Sequence, residues 1–82
     1  MNAKNAMQLI VDHQDMPALN YAVNYAAAGL NMAPGSHEFK VQCLYVLNNI
    51  MNWRTTKTST VTKEQIHEAR LALKQEGGVK VK

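Results

Sequence analysis

The chain has 82 residues and a mass of 9.2 kDa, with 18% charged residues and a formal net charge of +3. This length suits one domain, because a chain of this size buries about 60% of the surface that it would expose when extended. The longest uninterrupted apolar runs are far shorter than the roughly 20 residues that cross a bilayer. We therefore exclude a membrane-spanning protein at this stage.

The only cysteine, Cys43, cannot form an internal disulfide. The N-terminal segment does not combine a basic start with an apolar run and a cleavage site of small residues, as a signal peptide would. The sequence therefore predicts a cytoplasmic protein.

Charge is distributed unevenly along the chain. Between Met16 and Trp53 the only charged side chains are Glu38 and Lys40, whereas about a quarter of the residues of a typical small domain are charged. The whole net charge of +3 lies from Lys57 onward. The middle of the chain is polar mainly through asparagine and glutamine.

The apolar spacing of the first part of the chain predicts two helices. The first is capped by Asn2 and should run to about Gln14, because its apolar residues recur at helical intervals. Asp15 is expected to cap the second helix, with Pro17 in the first turn, where its missing N–H costs little. Alanines and Gly29 make this second helix thin, so another backbone could approach it closely.

A third helix is predicted after a turn in which Gly35 takes a positive φ. Ser36 should cap this helix, and Glu38 should occupy its first turn. Its apolar stripe runs from Phe39 to Ile50, which makes it the candidate for the central, most buried helix. Trp53 is expected to close the core beyond it or, alternatively, to anchor a partner.

A fourth helix is predicted after residues 54–61, which have no apolar period and are typical of a flexible loop. Thr62 and Gln65 match a capping box, Val61 and Ile66 match a hydrophobic staple, and glycines end the helix. We predict an all-α fold, a small antiparallel bundle of three to four short helices. It forms a single domain over residues 1–76, followed by a frayed basic tail over residues 77–82.

Residues that could carry catalysis or bind a metal are scattered. His13, His37 and His67 lack the close spacing of metal ligands, and Cys43 lies on an apolar stripe with no base beside it in sequence. No glycine-rich loop that could bind phosphate is present. The sequence therefore predicts no enzymatic activity, no catalytic residue, no metal site and no cofactor.

The predicted fourth helix has a basic face, formed by Lys63, His67, Arg70 and Lys74 at intervals of four, three and four residues. Cations on one face can neutralise nucleic-acid phosphates and release counterions. Neighbouring glutamates partly cancel this face, however, and no aromatic residues alternate with its cations. Nucleic-acid binding is therefore the alternative function rather than the leading one.

The predicted second and third helices carry an uncharged polar face with tyrosines. Interface centres are depleted in charge and enriched in tyrosine and methionine. The leading prediction is therefore a non-enzymatic interaction module that forms a dimer or docks on another protein. The alternative is that asparagine merely fills a solvated face. The predicted interface residues are Asn20, Tyr21, Asn24, Tyr25, Asn31, Gln42, Tyr45, Asn49 and Asn52.

The segment from Leu19 to Arg54 also carries a resemblance. Its pattern comprises Tyr21-Ala22-Val23, Tyr25-Ala26, Gln42, Leu44-Tyr45-Val46-Leu47, Asn49-Ile50 and Trp53-Arg54. This pattern resembles small uncharacterised proteins encoded by phages and prophages. The resemblance implies an accessory protein made during infection, in the host cytoplasm, and it implies no activity, cofactor or catalytic residue.

Overall fold

The computed structural model describes residues 1–55 and 60–79. Within this part of the chain there are four α-helices, and no strand occurs. The all-α prediction is therefore confirmed. None of the described helices is both long and apolar enough to cross a membrane. The helices are α1 (Ala3–Asp12), α2 (Asn20–Leu30), α3 (His37–Asn48) and α4 (Lys63–Glu76), with one 3₁₀ turn at Pro17–Leu19.

The four helices pack as a bundle in which each helix contacts mainly two neighbours, in the closed order α1, α2, α3, α4 and back to α1. Neighbours run antiparallel. Lys4 near the start of α1, for example, reaches the end of α2, and Arg70 in α4 reaches the segment that follows α3. α3 is not central, because a closed arrangement of four helices shares its core among all of them, but it does have more buried residues than any other helix, as predicted.

The large side chains of the core come from α1, α3 and α4, from the 3₁₀ turn before α2 and from the segment that follows α3, whereas α2 buries only alanines and Gly29. Trp53 is only 1% exposed. The prediction that it closes the core is therefore confirmed, and the alternative role as an exposed anchor is not. The largest fully buried residues are Met7, Ile10, Leu19, Phe39, Cys43, Val46, Ile50, Trp53 and Leu73.

Three helix starts match the predicted caps. The Asn2 side chain accepts a hydrogen bond from the Asn5 amide at 2.8 Å, and the Asn5 side chain accepts one from the Asn2 amide at 3.2 Å. The hydroxyl of Ser36 accepts from the amide of Phe39 at 3.1 Å. These bonds satisfy amides that have no partner inside the helix.

The start of α4 has the predicted capping box. Thr62 Oγ1 accepts from the Gln65 amide at 3.1 Å, and Gln65 Oε1 accepts from the Thr62 amide at 2.8 Å. Val61 and Ile66, the predicted staple pair, are both buried. Residue 61 therefore belongs to the core rather than to a flexible loop, while residues 56–59 of that predicted loop lie outside the described residues.

The connection between α1 and α2 differs from the prediction. α1 ends at Asp12 rather than near Gln14, and Asp15 caps no helix. The chain instead makes the 3₁₀ turn, and α2 begins only at Asn20. The physical reason is the burial of Leu19, which the 3₁₀ turn places fully in the core.

The end of α3 also comes earlier than its apolar stripe suggests. The helix stops at Asn48, and two tight turns follow, with the Ile50 amide donating to Leu47 O at 3.2 Å and the Trp53 amide donating to Ile50 O at 3.0 Å. The turns bury Ile50 and Trp53 without continuing the helix.

Two glycines meet backbone or packing requirements that the sequence suggested. Gly35 has a φ of 83°, as its predicted turn requires. Gly29 leaves room for the Met7 side chain of α1, because a Cβ added there would lie 2.5 Å from Met7 Sδ; this is a side-chain contact and does not test the predicted approach of another backbone.

The end of α4 is a Schellman motif. Gly78 has a φ of 77°, its amide donates to Gln75 O at 3.2 Å, and the Val79 amide donates to Lys74 O at 2.9 Å. Residues 77–79 are thus hydrogen-bonded to the last turn of α4, and the predicted frayed tail does not begin at Gly77. Residues 80–82 lie outside the described residues.

Cys43 is expected to react slowly in the native protein. The pKa of its thiol is raised to about 11, mainly by burial and to a smaller extent by the negative charge of Glu76, while the positive charge of Lys4 opposes the increase. Since the thiolate is the nucleophile, the native thiol stays protonated and inert up to this pH. A disulfide reagent at pH 8 should label the native protein at least about 100-fold more slowly than the urea-unfolded protein. Equal labelling rates in the two states would contradict this burial.

Candidate functional site

All three tyrosines of the chain lie on the outside of α2 and α3. Tyr21 is 76% exposed, Tyr25 40% and Tyr45 50%, whereas the other aromatic residues, Phe39 and Trp53, are buried. The rings of Tyr25 and Tyr45 stack across the two helices, with centroids 5.6 Å apart and an interplanar angle of 28°. This stack joins the outer faces of α2 and α3 into one surface.

Asparagines surround the tyrosines on this surface. Asn20, Asn24 and Asn31 in α2 and Asn52 after α3 are exposed, and Asn49 is half-buried, with its Nδ2 donating to Tyr45 O at 2.8 Å. We call the combined surface the amide–tyrosine face. It consists of Asn20, Tyr21, Asn24, Tyr25, Asn31, Tyr45, Asn49 and Asn52.

Gln42 does not belong to this face, which corrects the sequence prediction. It is only 8% exposed, and its Nε2 donates to Tyr25 O at 2.7 Å, so it ties α3 to α2 from within. Gln42 lies three residues after Phe39 and four before Val46, both buried. That spacing places it on the core side of α3, and it is the sequence signal that could have revealed its burial.

The amide–tyrosine face carries no formal charge. Glu38 lies two turns before Tyr45 on the same side of α3 and so marks one edge of the face. Lys40 lies toward α4 instead, since a Cβ on Gly78 would be 2.9 Å from its Cε. At the opposite end of α3, Met51 is 60% exposed beside Asn52 and adds apolar surface that sequence reasoning missed.

Comparison with known proteins does not assign this face a role. No known protein family matches the chain, and no curated protein or solved structure is significantly similar to it.

The predicted basic face is divided by the structure. Lys63 and His67 are exposed, and Lys74 is half-buried. Arg70 is also half-buried, and its Nη2 donates to the carbonyls of Ile50 (3.2 Å), Met51 (3.3 Å) and Trp53 (2.9 Å). Arg70 is therefore engaged within the fold, and it is not a free cation for a phosphate backbone.

Lys4 makes an equivalent set of contacts at the end of α2. Its Nζ donates to the carbonyls of Gly29 (3.0 Å), Leu30 (2.7 Å) and Met32 (2.6 Å), and it lies 5.1 Å from the centroid of the Phe39 ring. Neither α2 nor α3 has a basic residue in its own last turn. Lys4 supplies such a charge to the end of α2 from α1, whereas the acceptors of Arg70 lie in the turns beyond the last residue of α3.

The histidines and acidic residues do not assemble into a metal site. Within residues 1–55 and 60–79, no group of three His, Cys, Asp or Glu side chains is placed to hold a metal ion. His13 instead fixes the end of α1, with Nδ1 donating to Leu9 O at 2.9 Å and Nε2 lying 3.0 Å from Thr60 Oγ1.

Proposed function

We propose that this protein is a non-enzymatic helical interaction module that forms a homodimer through its amide–tyrosine face. The observation that carries the proposal is the exposure of all three tyrosines on one uncharged surface across α2 and α3. Tyrosine supplies large contact area at a low cost in conformational entropy. Uncharged amides also lose less free energy than ionised groups when a partner removes their water.

A second copy of the chain suits this surface. Two-fold association buries the same patch of both subunits, so a patch with formal charge of one sign would bring like charges together. The amide–tyrosine face avoids this, because each asparagine amide both donates and accepts hydrogen bonds and can pair with its own kind. The Tyr25–Tyr45 stack further limits the motion of two large side chains before association.

Association should be concentration-dependent and sensitive to charge on the face. Sedimentation equilibrium from micromolar to millimolar concentration should give a mass approaching twice 9.2 kDa. Asn24→Lys should weaken dimerisation at least about tenfold, because it brings two cations together at the interface. Gln75→Lys is the matched control, since it places the same charge at an exposed position of α4.

Two results of these experiments would contradict a homodimer. A wild-type chain that stays monomeric over the whole range would overturn the proposal, as would equal effects of Asn24→Lys and Gln75→Lys. Tyr45→Glu offers a second test, because it puts a negative charge on the α3 side of the face and should dissociate the dimer in the same way.

The resemblance to phage-encoded proteins supports a narrower proposal, that the dimer serves as an accessory protein during infection. This part of the proposal rests on the resemblance alone. Nucleic-acid binding through α4 stays a prediction, and the engagement of Arg70 within the fold leaves it fewer free cations.

A further inference from the structure

Helix α2 contributes less to the core than the other three helices. Its buried residues are Ala22, Ala26 and Gly29, and Val23 and Leu30 add partly buried apolar side chains. The free energy gained by burial rises with the apolar area removed from water, and alanine and glycine have little of it. Because the large fully buried side chains lie outside α2, opening α2 alone exposes much less apolar surface than unfolding the bundle.

The start of α2 also differs from the starts of the other helices. Asn2, Ser36 and Thr62 cap α1, α3 and α4 with side-chain hydrogen bonds, whereas among the described residues no side chain caps α2, which follows Leu19. The sequence of α2 contains no charged residue that could interact with the helix dipole. Caps and such charges stabilise a helix locally, so α2 depends on its neighbours more than the other helices do.

Side chains of the neighbouring helices hold α2 in place. Lys4 of α1 donates to the carbonyls at the end of α2. Gln42 of α3 donates from Nε2 to Tyr25 O at 2.7 Å, and the Tyr45 ring stacks on the ring of Tyr25. These contacts break when α2 opens, whereas the packing of α4 against both α1 and α3 is kept. The three other helices can therefore stay together without α2.

We propose that α2 opens as a unit while α1, α3 and α4 stay packed. Proteins open in such cooperative parts, and a part with few buried apolar contacts opens at a low free energy. Because α2 carries Tyr21, Asn24 and Tyr25, its opening takes apart the amide–tyrosine face. A consequence that rests on the proposed function is that only the closed form dimerises, and dimerisation therefore stabilises the closed form.

Hydrogen exchange of the native protein tests the opening. At low micromolar concentration, mass spectrometry of peptic peptides should give α2 a protection factor at least about tenfold lower than those of α1, α3 and α4. All peptides within α2 should share this value, because the helix opens as a unit. Equal protection of α2 and the other helices would overturn the proposal.

Two variants show whether α2 opens apart from the rest of the bundle. Gln42→Met removes the bond to Tyr25 O and should lower the protection of α2 about fivefold. Thr62→Ala is the matched control, because it removes the cap of α4. It should lower the protection of α4 about fivefold and leave that of α2 nearly unchanged. Equal losses in α2 and α4 for Thr62→Ala would show that α2 opens only with the whole bundle, which contradicts the proposal.

Exchange at higher concentration separates this proposal from the homodimer. If the chain dimerises through the amide–tyrosine face, the protection of α2 should rise over the concentration range used for sedimentation. A chain that sediments as a monomer throughout would contradict the homodimer, while low protection of α2 in that monomer would still support the opening. A dimer in which α2 exchanges as fast as in the monomer would overturn the link between closure and association.

Discussion

Replacing Lys4 with methionine should lower the free energy of unfolding by about 3 kcal/mol. Methionine keeps most of the apolar stem but removes the ammonium group, which donates to three carbonyls at and beyond the end of α2. Those half-buried carbonyls would lose a charged donor, and the contact with the Phe39 ring would be lost as well. This is the largest loss of stability that we expect from replacing a charged residue of this protein.

Urea unfolding followed by far-ultraviolet circular dichroism would measure the change. A chain of this length should unfold with roughly 4–12 kcal/mol, so the variant should still fold. Lys40→Met is the matched control, because Lys40 is exposed in α3 and should change stability by less than about 0.5 kcal/mol. Equal losses for the two variants would show that net charge, rather than the cap on α2, is responsible.

The second large effect is expected for Arg70→Met, at about 2 kcal/mol of lost stability. The guanidinium donates to three carbonyls in the turns that follow α3. Those turns place Ile50 and Trp53 in the core. Loss of the donor leaves carbonyls without a charged partner and loosens the segment that closes the bundle.

Lys63→Met is the control for Arg70→Met. Lys63 is exposed at the first position of α4, where a cation opposes the helix dipole. Its replacement should leave stability unchanged or slightly increased, when measured by the same urea titration. An Arg70→Met protein as stable as wild type would contradict the stabilising role of Arg70 in the turns that follow α3. The comparison also shows why Lys63, rather than Arg70, is the residue to replace when nucleic-acid binding is tested.

Part of the amide–tyrosine face could be predicted from the sequence. The scarcity of charge between Met16 and Trp53 is a property of composition, and the tyrosines and asparagines could be assigned to it by helical spacing. Only the packed structure shows that the Gln42 side chain is buried and donates to Tyr25 O. It also shows that the rings of Tyr25 and Tyr45 stack and so join α2 and α3 into one surface. Helical spacing defines the faces of one helix, but it does not define which face a neighbour covers.

The sequence by itself determined the caps of α1, α3 and α4 and the turn at Gly35, because these depend on hydrogen bonds and dihedral angles within about four residues. The tertiary structure alone decided the roles of Lys4 and Arg70, whose acceptors lie 17 to 28 residues away along the chain. It also decided where α2 begins, since the burial of Leu19 prevailed over the capping preference of Asp15. Contacts between distant residues depend on how the helices pack, and local sequence patterns do not determine that packing.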